Sequence, residues 1–253
     1  SYIYMAIRRP NKPASEFEAD ELFAINTRVN QRPAYVSGFP VDLSIHRNVA
    51  VDGSNAVGSR LIQEKGLYTD TPAAEVAGSI MKYDYQDGWF NSPNEQPTQY
   101  SWMWRRAPGF FDVVAYTGND TNNRALEHNL TVAPEMIWVK ARDGIHSWLV
   151  YHKDIGAGKS VILNSSGLAG SDGSFPTTPT DSVFYLGSAY QDNGSAYTYI
   201  AYLFASVPGI CDIGSFTDTG AEENIDCGFT NGARFVLIKP TNNSGDWSVF
   251  DTL

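Results

Sequence analysis

The amino-acid sequence predicts an all-β protein built of tandem β-sandwich modules, and three observations support this fold class. Short alternating runs rich in Val, Ile, Tyr, Phe and Thr are separated by clusters of Gly, Asn, Asp, Ser and Pro, the pattern of strands and turns. Helical periodicity is scarce, and the best helix candidate, Glu16 to Phe23, is short. A motif also recurs at a spacing near 100 residues, which is too long for a solenoid repeat.

Individual strands follow from the local pattern. Ser182 to Leu186 and Tyr197 to Ala205 both read as strands. Arg234 to Lys239 and Asp246 to Phe250 flank a turn-forming stretch, Thr241 to Gly245, and therefore predict a hairpin. Several such strands per 100 residues favour a β-sandwich.

Internal repetition is the most informative feature. Ala107 to Asp112 reads Ala-Pro-Gly-Phe-Phe-Asp, and Val207 to Asp212 reads Val-Pro-Gly-Ile-Cys-Asp. Met136 to Lys140 then matches Phe235 to Lys239 at an offset of 99 residues. We expect equivalent residues to maintain the fold of the unit, the carboxylates by closing the turn after Pro-Gly and the tryptophans by packing in the core. These repeat positions are Asp112 and Asp212, Lys140 and Lys239, and Trp148 and Trp247.

The repetition predicts three modules, at 1–98, 99–196 and 197–253. The first is a degenerate copy, and the last is a partial unit. Tyr2 to Ala6 corresponds to Tyr100 to Trp104 and to Tyr197 to Ala201, so an N-terminal strand, Tyr2 to Ile7, could complete the partial unit and protect two edge strands. Because strand-like patterns reach both ends of the sequence, we expect a longer polypeptide around it.

Composition restricts the classes of function. Hydrophobic residues make up 42%, aromatic residues 13% and charged residues only 18%, which indicates a folded chain with a polar, weakly charged surface. The formal net charge of −10 argues against a nucleic-acid partner. The longest apolar run, Tyr199 to Val207, is too short to span a bilayer, so we expect no membrane insertion.

No pattern of catalytic residues stands out, so we expect no enzyme activity. The four histidines lack metal spacing, there is no GxSxG elbow, and Gly156 to Ser160 lacks the first glycine of a phosphate-binding loop. We expect no cofactor and no metal site. Calcium stays open, because three loops offer oxygen ligands, although turn chemistry accounts for the same residues. These loops are Asp52 to Asn55, Asn119 to Asn122 and Asp192 to Gly194.

The only two cysteines, Cys211 and Cys227, flank a predicted hairpin. A disulfide and a pair of buried thiols are both compatible with this placement. The equivalent positions in the middle copy are Phe111 and Glu127, so the unit folds without a bridge.

Aromatic residues near turns are the candidates for ligand binding. Sugar rings stack on aromatic faces while amides and carboxylates bond the hydroxyl groups, although β cores are also rich in aromatics. The candidate carbohydrate-binding residues are Tyr83, Tyr85, Trp89, Tyr185 and Tyr190.

At these motifs the chain resembles a known family. Phe111 to Gly118, Ala133 to Lys140 and Trp148 to His152 are similar to an uncharacterised domain of bacteriophage virion proteins, common in marine and cyanobacterial phages. Ser37 to Asp42 and Tyr2 to Arg9 resemble the same family. The resemblance implies a lectin-like or jelly-roll-like fold in a tail-fibre, appendage or capsid-surface decoration protein, and it supplies no catalytic residues.

Three functions are therefore compared. The first is a virion structural protein that mediates assembly and host attachment, located on the virion surface with other virion proteins and forming a homo-oligomer, with a trimer favoured. The second is a lectin-like module that recognises a bacterial surface polysaccharide. The third and least supported is a polysaccharide depolymerase, which would need two close carboxylates in a cleft.

Overall fold

The computed structural model describes residues 16–51, 53–62, 64–77, 81–92 and 98–252. These residues form antiparallel strands joined by loops and short 3-10 turns, so the all-β prediction is confirmed. The helix candidate Glu16 to Phe23 holds only a 3-10 turn, Ala19–Glu21, because the buried Leu22 leads directly into the first strand. The predicted strand Tyr2 to Ile7 lies outside the described residues.

The first sheet has six strands in the order β1-β8-β3-β4-β5-β6. A separate ribbon pairs β2 with β7. The strands are β1 (Phe23–Thr27), β2 (Tyr35–Val36), β3 (Leu43–Asn48), β4 (Ala56–Ser59), β5 (Lys65–Tyr68), β6 (Val76–Ala77), β7 (Gly88–Trp89) and β8 (Gln99–Trp104). We call this part of the chain the first unit.

The second sheet has six strands in the order β9-β16-β11-β12-β13-β14, and a ribbon pairs β10 with β15. The strands are β9 (Phe111–Thr117), β10 (Arg124–Glu127), β11 (Met136–Ala141), β12 (Leu149–His152), β13 (Lys159–Ile162), β14 (Gly170–Ser171), β15 (Val183–Leu186) and β16 (Thr198–Phe204). We call this part the second unit.

The two units have the same strand order and the same register. In both, the last strand is inserted between the first and third strands, and we call β8 and β16 the closing strands. Trp104 of β8 pairs with Phe23 and Leu43. Phe204 of β16 pairs in the same way with Phe111 and Met136.

In this register, Tyr100–Trp104 is equivalent to residues 200–204, so the offset between the two units is 100 residues. The alignment of Tyr100 to Trp104 with Tyr197 to Ala201, based on sequence alone, was therefore wrong by three residues.

Strand pairing crosses the predicted module boundaries. β8 begins at Gln99, inside the predicted module 99–196, yet pairs with β1 and β3 of the preceding unit. β16 begins at Thr198, inside the predicted module 197–253, yet lies between β9 and β11. By sequence similarity alone, each closing strand looks like the start of a repeat. By its hydrogen bonds, however, each closing strand is the last strand of the preceding unit.

The core has three parts. The first sheet and its β2–β7 ribbon enclose one apolar cluster that contains Tyr35, Tyr83 and Trp89. The second sheet and its β10–β15 ribbon enclose another, around Phe175 and Phe184. The opposite faces of the two sheets share a third cluster that combines residues of both units.

A third, smaller element completes the described chain. β17 (Phe235–Ile238) and β18 (Ser248–Asp251) form the predicted hairpin. They correspond to β11 and β12, and Phe235, Leu237 and Trp247 pack against the shared core. We call residues 207–252 the third unit. Its stretch 213–217, equivalent to part of β9, carries a strand-like sequence but forms no strand.

Candidate functional site

Consecutive units are joined by a repeated indole hydrogen bond. Trp148 Nε1 donates to the carbonyl oxygen of Tyr68, the last residue of β5, at 2.8 Å. Trp247 Nε1 donates to the carbonyl oxygen of Ile162, the last residue of β13, at 2.9 Å. Each indole thus ties its own unit to the fifth strand of the preceding one. Trp148 is fully buried, as predicted for a core residue, whereas Trp247 is half-buried.

A backbone hydrogen bond repeats at the same joint. Glu75 N donates to the Arg142 carbonyl at 2.6 Å, and Ala169 N donates to the Thr241 carbonyl at 3.0 Å. Arg142 and Thr241 are 99 residues apart, the offset found in the sequence repeat. The Arg142 guanidinium also pairs with the Glu75 carboxylate at 3.0 Å, an ion pair that the second joint lacks because Ala169 and Thr241 carry no charge.

The repeated lysines hold the loops at these joints. The Lys140 ammonium is fully buried and donates to the carbonyls of Ala141 at 2.7 Å and Pro72 at 3.2 Å. Lys239 Nζ donates to the Gly245 carbonyl at 2.5 Å. Burial lowers the pKa of Lys140 to about 8. Both lysines therefore stabilise the chain turn rather than face a substrate.

The repeated aspartates differ in their surroundings. Asp112 is buried and accepts hydrogen bonds from the backbone N–H of Val113 at 2.9 Å and of Asn129 at 2.7 Å, and it pairs with the Arg106 guanidinium at 2.6 Å. It therefore fixes the chain after Pro-Gly. Asp212, at the equivalent position of the third unit, is exposed.

Two of the predicted sugar-binding aromatics lie in the core. Tyr83 and Trp89 are fully buried. Trp89 stacks between Tyr35, at 4.5 Å between ring centroids, and Tyr83, at 5.6 Å. Neither residue presents a ring face to solvent. Trp89 lies on β7 and Tyr83 in the chain before it, and both rings pack in the cluster between the sheet and the ribbon, where a sugar could not stack on them.

The other three aromatic candidates do not form one surface with them. Tyr85 is half-buried and packs against the core of the first unit. Tyr185 is half-buried on β15 of the second unit. Tyr190 is 63% exposed and contacts Tyr197 and His146. The five residues are thus divided between two units.

A cleft lies where the three units meet, and no pattern in the sequence indicated it. Its volume is about 370 Å³, within the roughly 300–1,000 Å³ of small-molecule sites. Each unit contributes one tryptophan to its wall: Trp102, Trp138 and Trp247. Trp102 and Trp138 are buried, and the half-buried Trp247 is the ring nearest to solvent.

The rim of the cleft is polar. Asp70, Ser165, Ser166 and Asp246 line it and are exposed. Asn55 also lines it, and its Oδ1 is buried without a hydrogen-bond partner. The site thus combines aromatic faces with carboxylate, hydroxyl and amide groups, and its two charges are both negative. This combination suits a neutral or amine-bearing polyhydroxylated ligand better than an anionic one.

The cysteines are not bonded to each other. Both are free and half-buried. Burial raises the pKa of Cys211 to about 12, and burial with the neighbouring Asp212 carboxylate raises the pKa of Cys227. Both are therefore thiols rather than thiolates near neutral pH.

In the calcium-candidate loops at Asn119 to Asn122 and Asp192 to Gly194, internal hydrogen bonds use several of the polar groups. Asn193 is buried, and its amide donates to Gly187, Thr121 and Asn119. Asp192 accepts from Gly187 N at 2.7 Å, while its Oδ1 is buried without a partner. Among the described residues, no group of His, Cys, Asp and Glu is arranged to hold a metal ion. Asp52 of the first candidate loop lies outside the described residues.

Comparison with known proteins gives a family but no activity. Residues 72–253 match the family described as Domain of unknown function (DUF7483), and because this is more than half of the chain, the chain belongs to that family. The match starts before β6, so it includes the second joint and the Glu75–Arg142 contacts of the first joint, but not Tyr68. No curated protein and no solved structure matches the chain. In the described part of the chain, no helix has the length and apolar character needed to cross a membrane.

Proposed function

We propose that this member of the DUF7483 family is a structural protein of a bacteriophage virion, located on the particle surface as a tail fibre, appendage or capsid decoration. The recurring joint between units carries this proposal. The indole bonds of Trp148 and Trp247 and the backbone bonds to Arg142 and Thr241 join successive units in the same way. A chain that repeats one joint builds a rigid scaffold, which a surface appendage needs.

The surface supports the same function. Only 18% of the residues are charged, so the surface has few ion pairs that high ionic strength could weaken. Other virion proteins are the proposed partners, together with further copies of this chain in a homo-oligomer, with a trimer favoured.

The direct test is mass spectrometry of purified virions of the encoding phage, with immunogold labelling of intact particles. Peptides of this chain at structural copy number, with surface labelling, are expected. Absence from particles that contain the capsid and tail proteins would overturn the proposal.

The cleft between the units favours a second function, the binding of a saccharide on the bacterial surface. Trp247 offers a ring face for stacking, and Asp70, Asp246 and the two serines offer groups for hydroxyl hydrogen bonds. We propose this cleft as the carbohydrate site in place of the buried Tyr83 and Trp89.

A polysaccharide array tests the cleft. The purified chain is expected to bind a subset of neutral or amine-bearing glycans, and Asp70→Ala and Asp246→Ala are each expected to weaken this binding at least tenfold. Asp181→Ala, which removes an exposed carboxylate outside the cleft, is the matched control. Equal binding by all three variants would exclude the cleft. A repeat with chelator shows whether calcium contributes.

A further inference from the structure

The three units surround the shared core, and each unit contacts both of the others. The first and second units meet at Trp148, and the second and third units meet at Trp247. The third unit also reaches the first, because Trp102 Nε1 donates to the Asp251 carboxylate at 3.0 Å and the ring centroids of Trp102 and Phe235 are 5.8 Å apart. The contact between the third and first units is therefore a third joint, and Trp102 and Phe235 both line the cleft.

The strand register shows which residue of the first unit corresponds to the joint tryptophans. Ala56, the first residue of β4, is equivalent to Leu149, the first residue of β12. The residues that precede them, Asn55 and Trp148, are therefore equivalent as well. The repeat offset of 99 residues makes Trp247 the counterpart of Trp148 in the third unit. The first unit thus has an asparagine where the other two units have a tryptophan.

A backbone hydrogen bond supports this equivalence. Thr69 N donates to the Asn55 carbonyl, and Leu163 N donates to the Trp148 carbonyl, both at 3.1 Å. Each donor is the residue that follows the fifth strand of its unit, β5 or β13. The two units therefore have the same backbone arrangement here, and they differ in the side chain.

The small side chain of Asn55 accounts for open space in the cleft. In the second unit, the Trp148 ring stacks on Tyr202 of the closing strand, with 6.3 Å between ring centroids. Tyr202 corresponds to Trp102, so an indole at position 55 would lie over the Trp102 ring. Asn55 and Trp102 both line the cleft, and Asn55 Oδ1 is buried without a hydrogen-bond partner. The third joint thus has room for a ring where the other two joints hold a tryptophan.

The charges at the cleft favour one kind of ring. Asp70 and Asp246 line the cleft, and neither carboxylate forms an ion pair or accepts a hydrogen bond within the described part of the chain. The described residues that line the cleft include no Lys, Arg or His. Lys239, whose charge interacts with Asp246, does not line the cleft and donates to the Gly245 carbonyl. Two unpaired carboxylates beside tryptophan rings suit a ligand that combines a ring with a cation.

We propose that the cleft binds an amino sugar, whose ring takes the place of the missing third indole and whose ammonium group is held by the charges of Asp70 and Asp246. This inference rests on the proposed saccharide binding and narrows it to sugars with a free amine. Asn55 is the residue that admits the ring, because it leaves open the space that a tryptophan fills at the other joints. A neutral sugar lacks the cation that the two carboxylates attract.

Two matched oligosaccharides test the ligand class. The trimers of glucosamine and of N-acetylglucosamine have the same ring and linkage, so a comparison between them isolates the charge of the amine. In calorimetric titrations of the full chain, at low ionic strength and a pH that keeps the amine protonated, the glucosamine trimer is expected to bind at least tenfold more tightly. Asp70→Asn and Asp246→Asn keep the size of the side chain and are each expected to reduce this preference at least threefold. Asp181→Asn, outside the cleft, is the matched control and should leave it unchanged.

Asn55→Trp tests the position of the ring. The added indole should fill the cleft and weaken binding of the glucosamine trimer at least tenfold. The urea midpoint should not fall, because Trp148 occupies the equivalent site in the second unit. Asn122→Trp, on an exposed turn outside the cleft, is the matched control and should bind as the unsubstituted chain does. If Asn55→Trp does not fold, the two aspartate variants still decide the ligand class.

The outcomes separate this inference from the saccharide function on which it rests. A preference for the glucosamine trimer that is reduced by the aspartate variants, with binding weakened by Asn55→Trp, supports the inference. Equal affinity for the two trimers, with binding of neutral polysaccharides on the array, would overturn the inference and leave the saccharide function standing. An Asn55→Trp variant that folds and binds as tightly as the unsubstituted chain would overturn the position of the ring. No binding to either trimer or to any polysaccharide on the array would overturn both.

Discussion

The first and second units share a strand order and a register, yet they fill their outer layers differently. In the first unit, the layer between sheet and ribbon contains the stacked rings of Tyr35, Trp89 and Tyr83. His46, which contacts Trp89, is buried in the same region. In the second unit, the corresponding layer contains Phe175 and Phe184, and the buried Asp192 lies in an adjacent loop.

The residues that face the shared core are more alike. Trp102 and Trp104 correspond to Tyr202 and Phe204, and all four belong to one apolar cluster. Val57 likewise corresponds to Val150. The comparison indicates that strand order and register depend on this inner face, whereas the outer layer accommodates different rings and different buried titratable groups.

The largest difference in stability is expected between substitutions of the tryptophans at the two joints. Trp148→Ala should lower the free energy of unfolding by about 3–5 kcal/mol, because it empties a fully buried site and leaves the Tyr68 carbonyl unpaired. Trp247→Ala removes a half-buried ring and should cost about 1–2 kcal/mol. Urea unfolding of both variants gives the values, and equal losses would show that the two joints contribute alike.

The second largest difference in stability is expected between substitutions of the repeated aspartates, Asp112 and Asp212. Asp112→Ala should cost about 3 kcal/mol, since the backbone N–H groups of Val113 and Asn129 lose their acceptor and Arg106 loses its charge partner. Asp212→Ala, at the exposed equivalent position, should change stability by less than about 0.5 kcal/mol. The same urea titration measures both, and a large effect of Asp212→Ala would mean that the third unit already has the fold of the second.

Because His46 of the first unit is buried, we expect the chain to become less stable as the pH falls. Burial lowers the pKa of His46 to about 4 from an unfolded value near 6.5, so its contribution is complete above pH 6.5 and is lost as the pH falls towards 4. His46→Gln should remove about 3 kcal/mol of this pH dependence. Unfolding free energies at pH 4 to 7 measure it, and an unchanged slope in the variant would contradict a buried neutral histidine.

Because Asp192 of the second unit is buried, we expect it to make the chain less stable as the pH rises. Burial raises the pKa of Asp192 to about 6 from an unfolded value near 3.8, so its favourable contribution is complete below pH 3.8 and is lost as the pH rises through 6. Asp192→Asn should therefore stabilise the chain at pH 7 by up to about 3 kcal/mol relative to its effect at pH 4. Thermal unfolding at the two pH values tests this, and a stabilisation independent of pH would contradict it.

The sequence predicted what depends on local pattern. Alternation was enough to predict β15 (Val183–Leu186), β16 (Thr198–Phe204) and the hairpin of β17 and β18, and the all-β class followed. It also assigned Trp148 to the core and Asp112 to the turn, because both recur at equivalent positions.

Long-range pairing was not accessible in the same way. The closing strands β8 and β16 resemble each other in sequence, but only hydrogen bonding shows that each one completes the preceding sheet. The cleft was missed for the same reason, since Trp102, Trp138 and Trp247 come from three units. The burial of Tyr83 and Trp89 was not predicted, because the chain that covers the first sheet here has the aromatic, turn-rich sequence of an exposed loop.

Hydrogen exchange of the full chain tests most directly the claim that the first two units depend on their closing strands. We expect slow exchange in β3 and β11, because each pairs with a strand on both sides. Met103→Pro should disrupt the closing strand β8 and accelerate exchange in β3 at least tenfold, while β11 stays slower. Exchange in β3 that is unaltered by Met103→Pro would contradict the account.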